Sequence, residues 1–322
     1  MSFNSLPAAN TSIPALPQAC LLMAAGHECA PPVACVPRGG LPGCGLVSTK
    51  TYAEVLQAPA RGGAPPADRR AGGAVMGRPK VELPFSQLVL GKTTPPWNAQ
   101  SWSTKTCKIV DGVLRVSYPE GSSTPSSKGP RGGCSFKARP HCLPATDVTL
   151  SYRVRFADNF DWVRGGKLPG LFIGHGHASG GDHSAGAASC RLMWLAKGKV
   201  IAYVYTPSGI RQSASYAHEV HEGKQYGDSL FHDAKLFLKK GGAWNDIILR
   251  VRVNGFTEEG DPKPDGVVTL SVNGQAVTFT GIVWRRKPSI KIDHVAVVTF
   301  FGGHWKSKTD THADFADFSI VA

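Results

Sequence analysis

An antiparallel all-β sandwich of the jelly-roll type is predicted by three observations in this 322-residue sequence. Short β-branched and aromatic runs recur from residue 85 to residue 322. Turn residues separate them, drawn from 37 glycines and 24 prolines that work against long helices. Helical segments do not alternate with the strands as they would around a parallel sheet.

The strands are expected, in order, over 112–119, 132–140, 147–156, 190–195, 199–207, 246–255, 266–284, 293–303 and 313–322. Each run alternates in polarity or is continuously β-branched and aromatic, the patterns of half-buried and fully buried strands. "VNGQ" at 272–275 carries an Asn-Gly pair, which supplies the two positive-φ positions of a tight turn, so 266–284 folds back on itself. A turn or two of helix is expected within 217–237. Arg153 and Arg155 alternate with Val154 and Phe156, and Arg250 and Arg252 with Val251 and Val253. That spacing puts the four arginines on a solvated sheet face, with the lining of an anionic groove as the alternative.

The first part of the chain has a different texture. Residues 1–55 hold four of the eight cysteines, Cys20, Cys29, Cys35 and Cys44, at spacings that match no paired C-x-x-C zinc pattern. A disulfide-stapled knob and a tail of free thiols both fit. Residues 56–84 are rich in Pro, Gly, Ala and Arg, the composition of a linker, which leaves 85–322 as the sandwich domain. "PQACLLMAAGHECA" is too short, and lacks a preceding basic segment, to read as a signal-peptide core, so synthesis without ordinary export is expected. No run of apolar residues reaches membrane-spanning length.

Lysine and arginine outnumber aspartate and glutamate 36 to 23, a formal charge of +13 that suits a polyanionic partner: nucleic acid, an anionic membrane or an acidic polysaccharide. No nucleic-acid recognition motif, phosphate loop or Ser-His-Asp signature is present, and no carboxylate pair stands at a glycosidase-like position.

The sharpest local feature is "SCRLMWLAKGKVIAYVYTP", 189–207. It reads as a hairpin whose three-residue loop is centred on Lys197, with Gly198 in the left-handed position. That odd loop length sets Arg191 opposite Tyr203 and Ser189 opposite Tyr205, all four on one face. A loop of two or four residues would send the tyrosines to the other face. Arginine grips a carboxylate through a planar fork, and serine and tyrosine hydroxyls answer sugar hydroxyls. The alternative is an aromatic ladder with an arginine laid along it. Just upstream, "FDWVRGGKLPGLFIG" (160–174) places Lys167 at a strand end or tight turn.

Together these motifs resemble a known family. "F-x-W-V-x-G-G-K-L-P-G-L", then a Gly/Ser-rich loop, then "S-x-R-L-M-W" and "Y-x-Y-x-P", are similar to the signature of polysaccharide lyase family 14, the alginate and glucuronate lyases of chlorella viruses. "VVTFFGGHW" (297–305), Asp310 and "FADFSI" (315–320) resemble its C-terminal strands. The likeness covers roughly 85–322. It implies a β-jelly roll with a basic cleft, and functional residues at Lys167, Ser189, Arg191, Tyr203 and Tyr205. It implies no cofactor and no metal, and a chain encoded by a virus, made in the host cytoplasm and acting on the host cell wall, with its N-terminal region a possible attachment segment. The basic "GGHWKSK" after the Phe-Phe pair departs from the family pattern.

A uronate lyase removes the proton on C5, beside the carboxylate, and expels the 4-O-linked sugar, leaving an unsaturated uronic acid. The carboxylate must be neutralised while negative charge develops, a base must take the proton, and an acid must serve the leaving oxygen. Arg191 and Lys167 fit as neutralisers. Tyr205 is favoured for proton transfer, on the expectation that nearby cations favour a phenolate, and Lys167 is the rival base. Lys128 and Arg131 in "SSKGPRGG", His175 in "GHGHASGGDH" and His304 in "GGHWKSK" are the expected substrate-binding residues. His175, His177 and His183 could also hold a metal, but a loop at the cleft edge is the favoured reading. The expected substrates are polyglucuronate first and alginate second; the expected partner is an acidic polysaccharide, with no nucleic acid and no membrane, and the protein is expected to be monomeric. The alternative function is a non-catalytic, lectin-like module that holds anionic glycans.

Overall fold

The computed structural model describes residues 78–103, 105–221, 226–303 and 305–322. The N-terminal cysteines, residues 56–77 of the expected linker, and His304 lie outside them. Two antiparallel sheets pack face to face. The first is built from β1 (Lys80–Leu83), β3 (Cys107–Val110), β4 (Val113–Tyr118), β6 (Asp147–Phe156), β13 (Trp244–Arg252), β14 (Gly266–Val272), β15 (Gln275–Ile282) and β17 (Thr311–Val321). Its order is β15-β14-β13-β6-β17-β4-β3, with β1 on the free edge of β17. The second holds β2 (Gln100–Ser103), β5 (Cys134–Ala138), β7 (Gly165–Gly174), β10 (Ala187–Leu195), β11 (Val200–Tyr205), β12 (Asp228–Leu230) and β16 (Ile292–Phe301). Its order is β12-β11-β10-β7-β16-β5-β2. A two-residue ribbon, β8 (Ala178–Ser179) and β9 (Asp182–His183), pairs with itself.

The strand pattern explains the layers. In β6 the run Leu150, Tyr152, Val154, Phe156 is buried while Ser151, Arg153 and Arg155 are partly exposed, the period of two that a one-sided sheet requires. The facing sheet sends in Leu168, Leu192, Trp194 and Phe301; the Trp194 ring meets Tyr118, Phe160 and Phe301 edge-on, and Phe301 meets Tyr118 edge-on, with centroids between 5.4 and 6.3 Å apart. Asn273 and Gly274 both take positive φ, so the Asn-Gly turn forms between β14 and β15 as its sequence directs.

Three expectations are corrected. The sandwich begins before residue 85, because Lys80–Leu83 pairs with Phe318–Val321. The helix, α1 (Ala214–Glu219), is six residues long and starts ahead of 217; Ser213 caps it by accepting from the Tyr216 N–H. Lys167 is not at a strand end or turn. It sits inside β7, a ten-residue strand that is buried throughout and lies between β10 and β16.

Four glycines and a proline hid that strand from a propensity reading. Two of the glycines are steric necessities: a Cβ on Gly166 would overlap the Trp194 ring, and one on Gly170 would overlap the Cys190 carbonyl. Pro169 is tolerated in a central strand because it lies in a β-bulge. Leu171 pairs with Cys190 and Leu168 with Leu192, so β7 spends one residue more than β10 across this interval. The Pro169 carbonyl accepts from the Tyr152 hydroxyl, which reaches across from the other sheet at 3.3 Å. The bulge reverses the in–out parity of β7. Lys167 and Phe172, five residues apart, therefore share the outer face, whereas an unbroken strand would have put them on opposite sides.

Candidate active site

The hairpin forms as expected. Its loop is Ala196–Gly198, with φ of 62° at Lys197 and 78° at Gly198, and Ser189 pairs with Tyr205 and Arg191 with Tyr203. Lys167 joins them from β7. Its Nζ lies 3.1 Å from the centroid of the Tyr203 ring and 3.2 Å from Met193 Sδ. One outer face of the second sheet thus gathers all five expected catalytic residues.

The group is nearly sealed. Ser189, Arg191 and Tyr205 are buried, and Tyr203 is half-buried. The β8–β9 ribbon and a loop before β12 cover them and satisfy their polar atoms. Ser189 Oγ donates to the Ala178 carbonyl at 2.7 Å, and Arg191 Nη2 to the same carbonyl at 3.4 Å. The Tyr205 hydroxyl accepts from the Gly181 N–H at 3.2 Å, and the Tyr203 hydroxyl from the Gly227 N–H at 3.1 Å. The two hydroxyls lie 3.4 Å apart, and the His183 ring tilts against Tyr205. Arg191 Nε is buried with no partner among the described residues. A substrate carboxylate or hydroxyl placed here would take over bonds that the ribbon backbone now makes.

The electrostatics follow from burial. Among the described residues neither Lys167 nor Arg191 forms an ion pair. Burial, reinforced by the Arg191 charge, holds the Lys167 amine well below its ordinary 10.5 and favours the neutral, basic form. Burial also lowers Arg191, an effect the two tyrosines partly offset. The expectation that cations would favour a phenolate fails at Tyr203. Burial, together with its hydrogen bond to Tyr205, pushes that phenol upward and outweighs the attraction of Arg191, so Tyr203 stays protonated.

The expected binding residues are scattered. His175 is exposed at the rim of a separate pocket, 3.9 Å from Asp293. Lys128 and Arg131 are exposed on the loop after β4, and Arg131 turns back to donate to the Pro125 carbonyl. His177 and His183 do not converge with His175; the described His and Asp groups close enough to share an ion are His221, His232 and Asp233, within 4.8 Å of one another at the β12 edge. Sequence reasoning missed Met193, the Gly181 and Gly227 amides and the Ala178 carbonyl. For the backbone groups, the glycine-rich stretches around them were the available signal.

One sheet face of a jelly-roll sandwich thus presents a buried lysine, a buried arginine and two tyrosines. The chain belongs to the polysaccharide lyase 14 family, whose family model matches residues 107–318. It is similar to alginate lyase vAL-1 from Chlorella virus, at 35% identity and a TM-score of 0.64, over 70% of this chain and 93% of that one. It is similar also to the marine PL-14 alginate lyase from Aplysia kurodai, at 28% identity and a TM-score of 0.61, over 76% of this chain and 98% of that one. Exolysin of Paramecium bursaria Chlorella virus 1 is 25% identical over 172 residues, 48% of this chain, which spans only 25% of that relative's length.

Proposed function

We propose that this lyase cleaves 4-O-linked polyuronates by β-elimination, with Lys167 as base and Tyr205 as acid. The observation that carries the reading is the buried Lys167 amine beside the buried Arg191 guanidinium, both facing two tyrosines with no carboxylate partner among the described residues. A structural role would pair such charges; an anionic substrate supplies the missing partner.

In this scheme the substrate carboxylate lies against Arg191 and the Ser189 hydroxyl, displacing the Ala178 carbonyl. Neutralising it makes C5–H more acidic. The neutral Lys167 amine takes the C5 proton and becomes an ammonium. The C5–H electron pair forms the C4=C5 double bond, the C4–O4 bond breaks, and the departing oxygen takes the Tyr205 hydroxyl proton. The Gly181 N–H, already donating to that oxygen, stabilises the phenolate left behind. Proton exchange with water restores both groups. Tyr203, held protonated, orients Tyr205 and covers the Lys167 amine with its ring.

Alginate is the first substrate to test, since two relatives above 25% identity are described as alginate lyases. Polyglucuronate, which also carries a carboxylate on C5, is the second. A role on the host cell wall, after synthesis in the host cytoplasm, accords with the viral relatives. The test is the ultraviolet absorbance of the unsaturated product on each polymer. Growth on either supports the reading; polymer binding without growth on both overturns it.

A further inference from the structure

The geometry points to a second, non-catalytic uronate subsite about three strands away from Arg191 on the same sheet face, built around Lys137. The inference rests on the reading of the tyrosine face as the elimination site and adds a position where the polymer is gripped.

A pocket of about 180 Å³ opens between β2, β5, β16 and the end of β7. Lys137, on β5, is exposed and has no carboxylate partner among the described residues; its Nζ lies 5.8 Å from the centroid of Phe172. Beside it Arg139 donates to Asp293 Oδ1 at 2.6 Å, and His294 holds Asp293 Oδ2 at 3.1 Å through Nδ1. Asp293 is thus occupied by its own neighbours and does not neutralise Lys137. His294 is stacked flat on Phe172, with centroids 4.8 Å apart, so its ring is a fixed wall. Burial pushes this imidazole down to about 4, so the wall is uncharged at neutral pH, and with Arg139 paired to Asp293 the cation left without an acid partner among the described lining residues is Lys137. Gln100, opposite Lys137 on β2, adds an exposed amide suited to sugar hydroxyls.

The row between the two sites carries only small side chains, and these are themselves buried. Lys137 pairs with Ala296, Ala296 with Gly170, and Gly170 packs against the Arg191 backbone at the bulge. A methyl group and a hydrogen are all the side chain this row carries, while Phe172 walls it on one side. Three strand spacings amount to roughly 14 Å, more than one pyranose ring can bridge. A single uronate cannot touch Lys137 and Arg191 together, but an oligomer laid along this row, displacing the Ala178 carbonyl as in the proposed reaction, can, its distal carboxylate on Lys137.

Chain length is therefore the readout. With the full chain and a series of mannuronate oligomers from two to eight units, wild-type kcat/KM is expected to climb once the oligomer spans the distance from Arg191 to Lys137. Lys137→Ala is expected to lower kcat/KM about tenfold on the octamer, the scale of one charge-assisted contact, mostly through KM, with the loss fading toward the shortest oligomer that is cleaved. Lys137→Glu should deepen the same length-dependent pattern. Equal losses at every length would show a general field effect and overturn the subsite, as would no loss at any length. Calorimetric binding of the octamer separates this from the function itself. If the wild type cleaves no uronate yet binds the octamer about tenfold more tightly than Lys137→Glu, elimination fails and the subsite stands. If the wild type cleaves and the length dependence is unchanged, the subsite alone fails. Neither cleavage nor binding overturns both.

Discussion

The two sheets carry similar cations on their outer faces and treat them in opposite ways. On the first, each arginine that faces outward is met by protein. Asp314 lies between Arg115, at 2.7 Å, and Arg155, at 2.9 Å; Asp147 holds Arg250 at 2.8 Å and Arg78 at 2.9 Å; Arg153 pairs with Asp317. Burial alone would raise the Asp314 carboxyl, but hydrogen bonds from both arginines outweigh it and hold it below the usual carboxylate range. On the second, Lys167, Arg191 and Lys137 form no ion pair among the described residues. Compensated charge maintains a fold, whereas uncompensated charge costs stability and is kept where a ligand completes it. The arginine alternation of β6 and β13 read as a solvated face, and that reading holds in a specific form: the face is laced with aspartates.

The largest effect is expected at the proposed base. Lys167→Ala should lower kcat about a thousandfold, within the range for losing a general base. The wild-type pH profile sharpens this. Because the Lys167 amine titrates well below 10.5, kcat/KM should rise with pH and level off well short of that value. A rise that continues to 10.5 would contradict the assignment. Stability should move the other way. A buried base held below its ordinary value costs stability as pH falls from 10.5 toward its folded value, and costs nothing above 10.5. Lys167→Met should therefore raise the Tm by a few degrees at neutral pH, and the gain should disappear in alkali.

Next comes Tyr205→Phe, which deletes one hydroxyl and should reduce kcat about a hundredfold with KM little changed. Arg191→Ala should weaken binding and turnover together, because the carboxylate is charged before and during reaction. Steady-state kinetics on one soluble oligomer distinguishes the patterns, and near-normal turnover in Tyr205→Phe would pass the acid role to Tyr203.

On the compensated sheet the same kinds of change should leave kinetics alone. Asp314→Ala strands two arginines around a buried site and should cost about 3 kcal/mol by denaturant titration, with kcat within twofold of wild type. The bulge joins the two behaviours. Tyr152→Phe removes the hydroxyl that binds the Pro169 carbonyl and should cost about 1–2 kcal/mol. If the bulge positions Lys167, kcat falls as well; an unchanged kcat would mean that Gly170 and Pro169 hold the bulge unaided. The smallest effect is expected from Arg153→Ala, an exposed pair worth about 0.5 kcal/mol or less.

The hairpin was legible in the sequence because its information is local. An odd loop around Lys197 and Gly198 fixes the parity of both flanking strands, so Ser189, Arg191, Tyr203 and Tyr205 fall on one face whatever the rest of the chain does. The nine expected strand runs were legible for the same reason, since alternation and turn residues act over a few positions. The family motifs marked Lys167 but not its setting. A Gly-Gly-Lys-Leu-Pro-Gly run reads as a turn by propensity, and only Trp194 and Cys190, pressing on it from β10, make it a strand. Its bulge is a mismatch between two strands, and no single strand encodes that. Tertiary structure alone also decided which cations go unpaired. Arg155 and Arg191 look alike in their strands, but Asp314 arrives beside one from a strand 159 residues away, and no carboxylate arrives beside the other among the described residues. Desolvation and pairing depend on that three-dimensional arrangement, which is why the charges that hold this sandwich together and those that await a substrate separate only once it has folded.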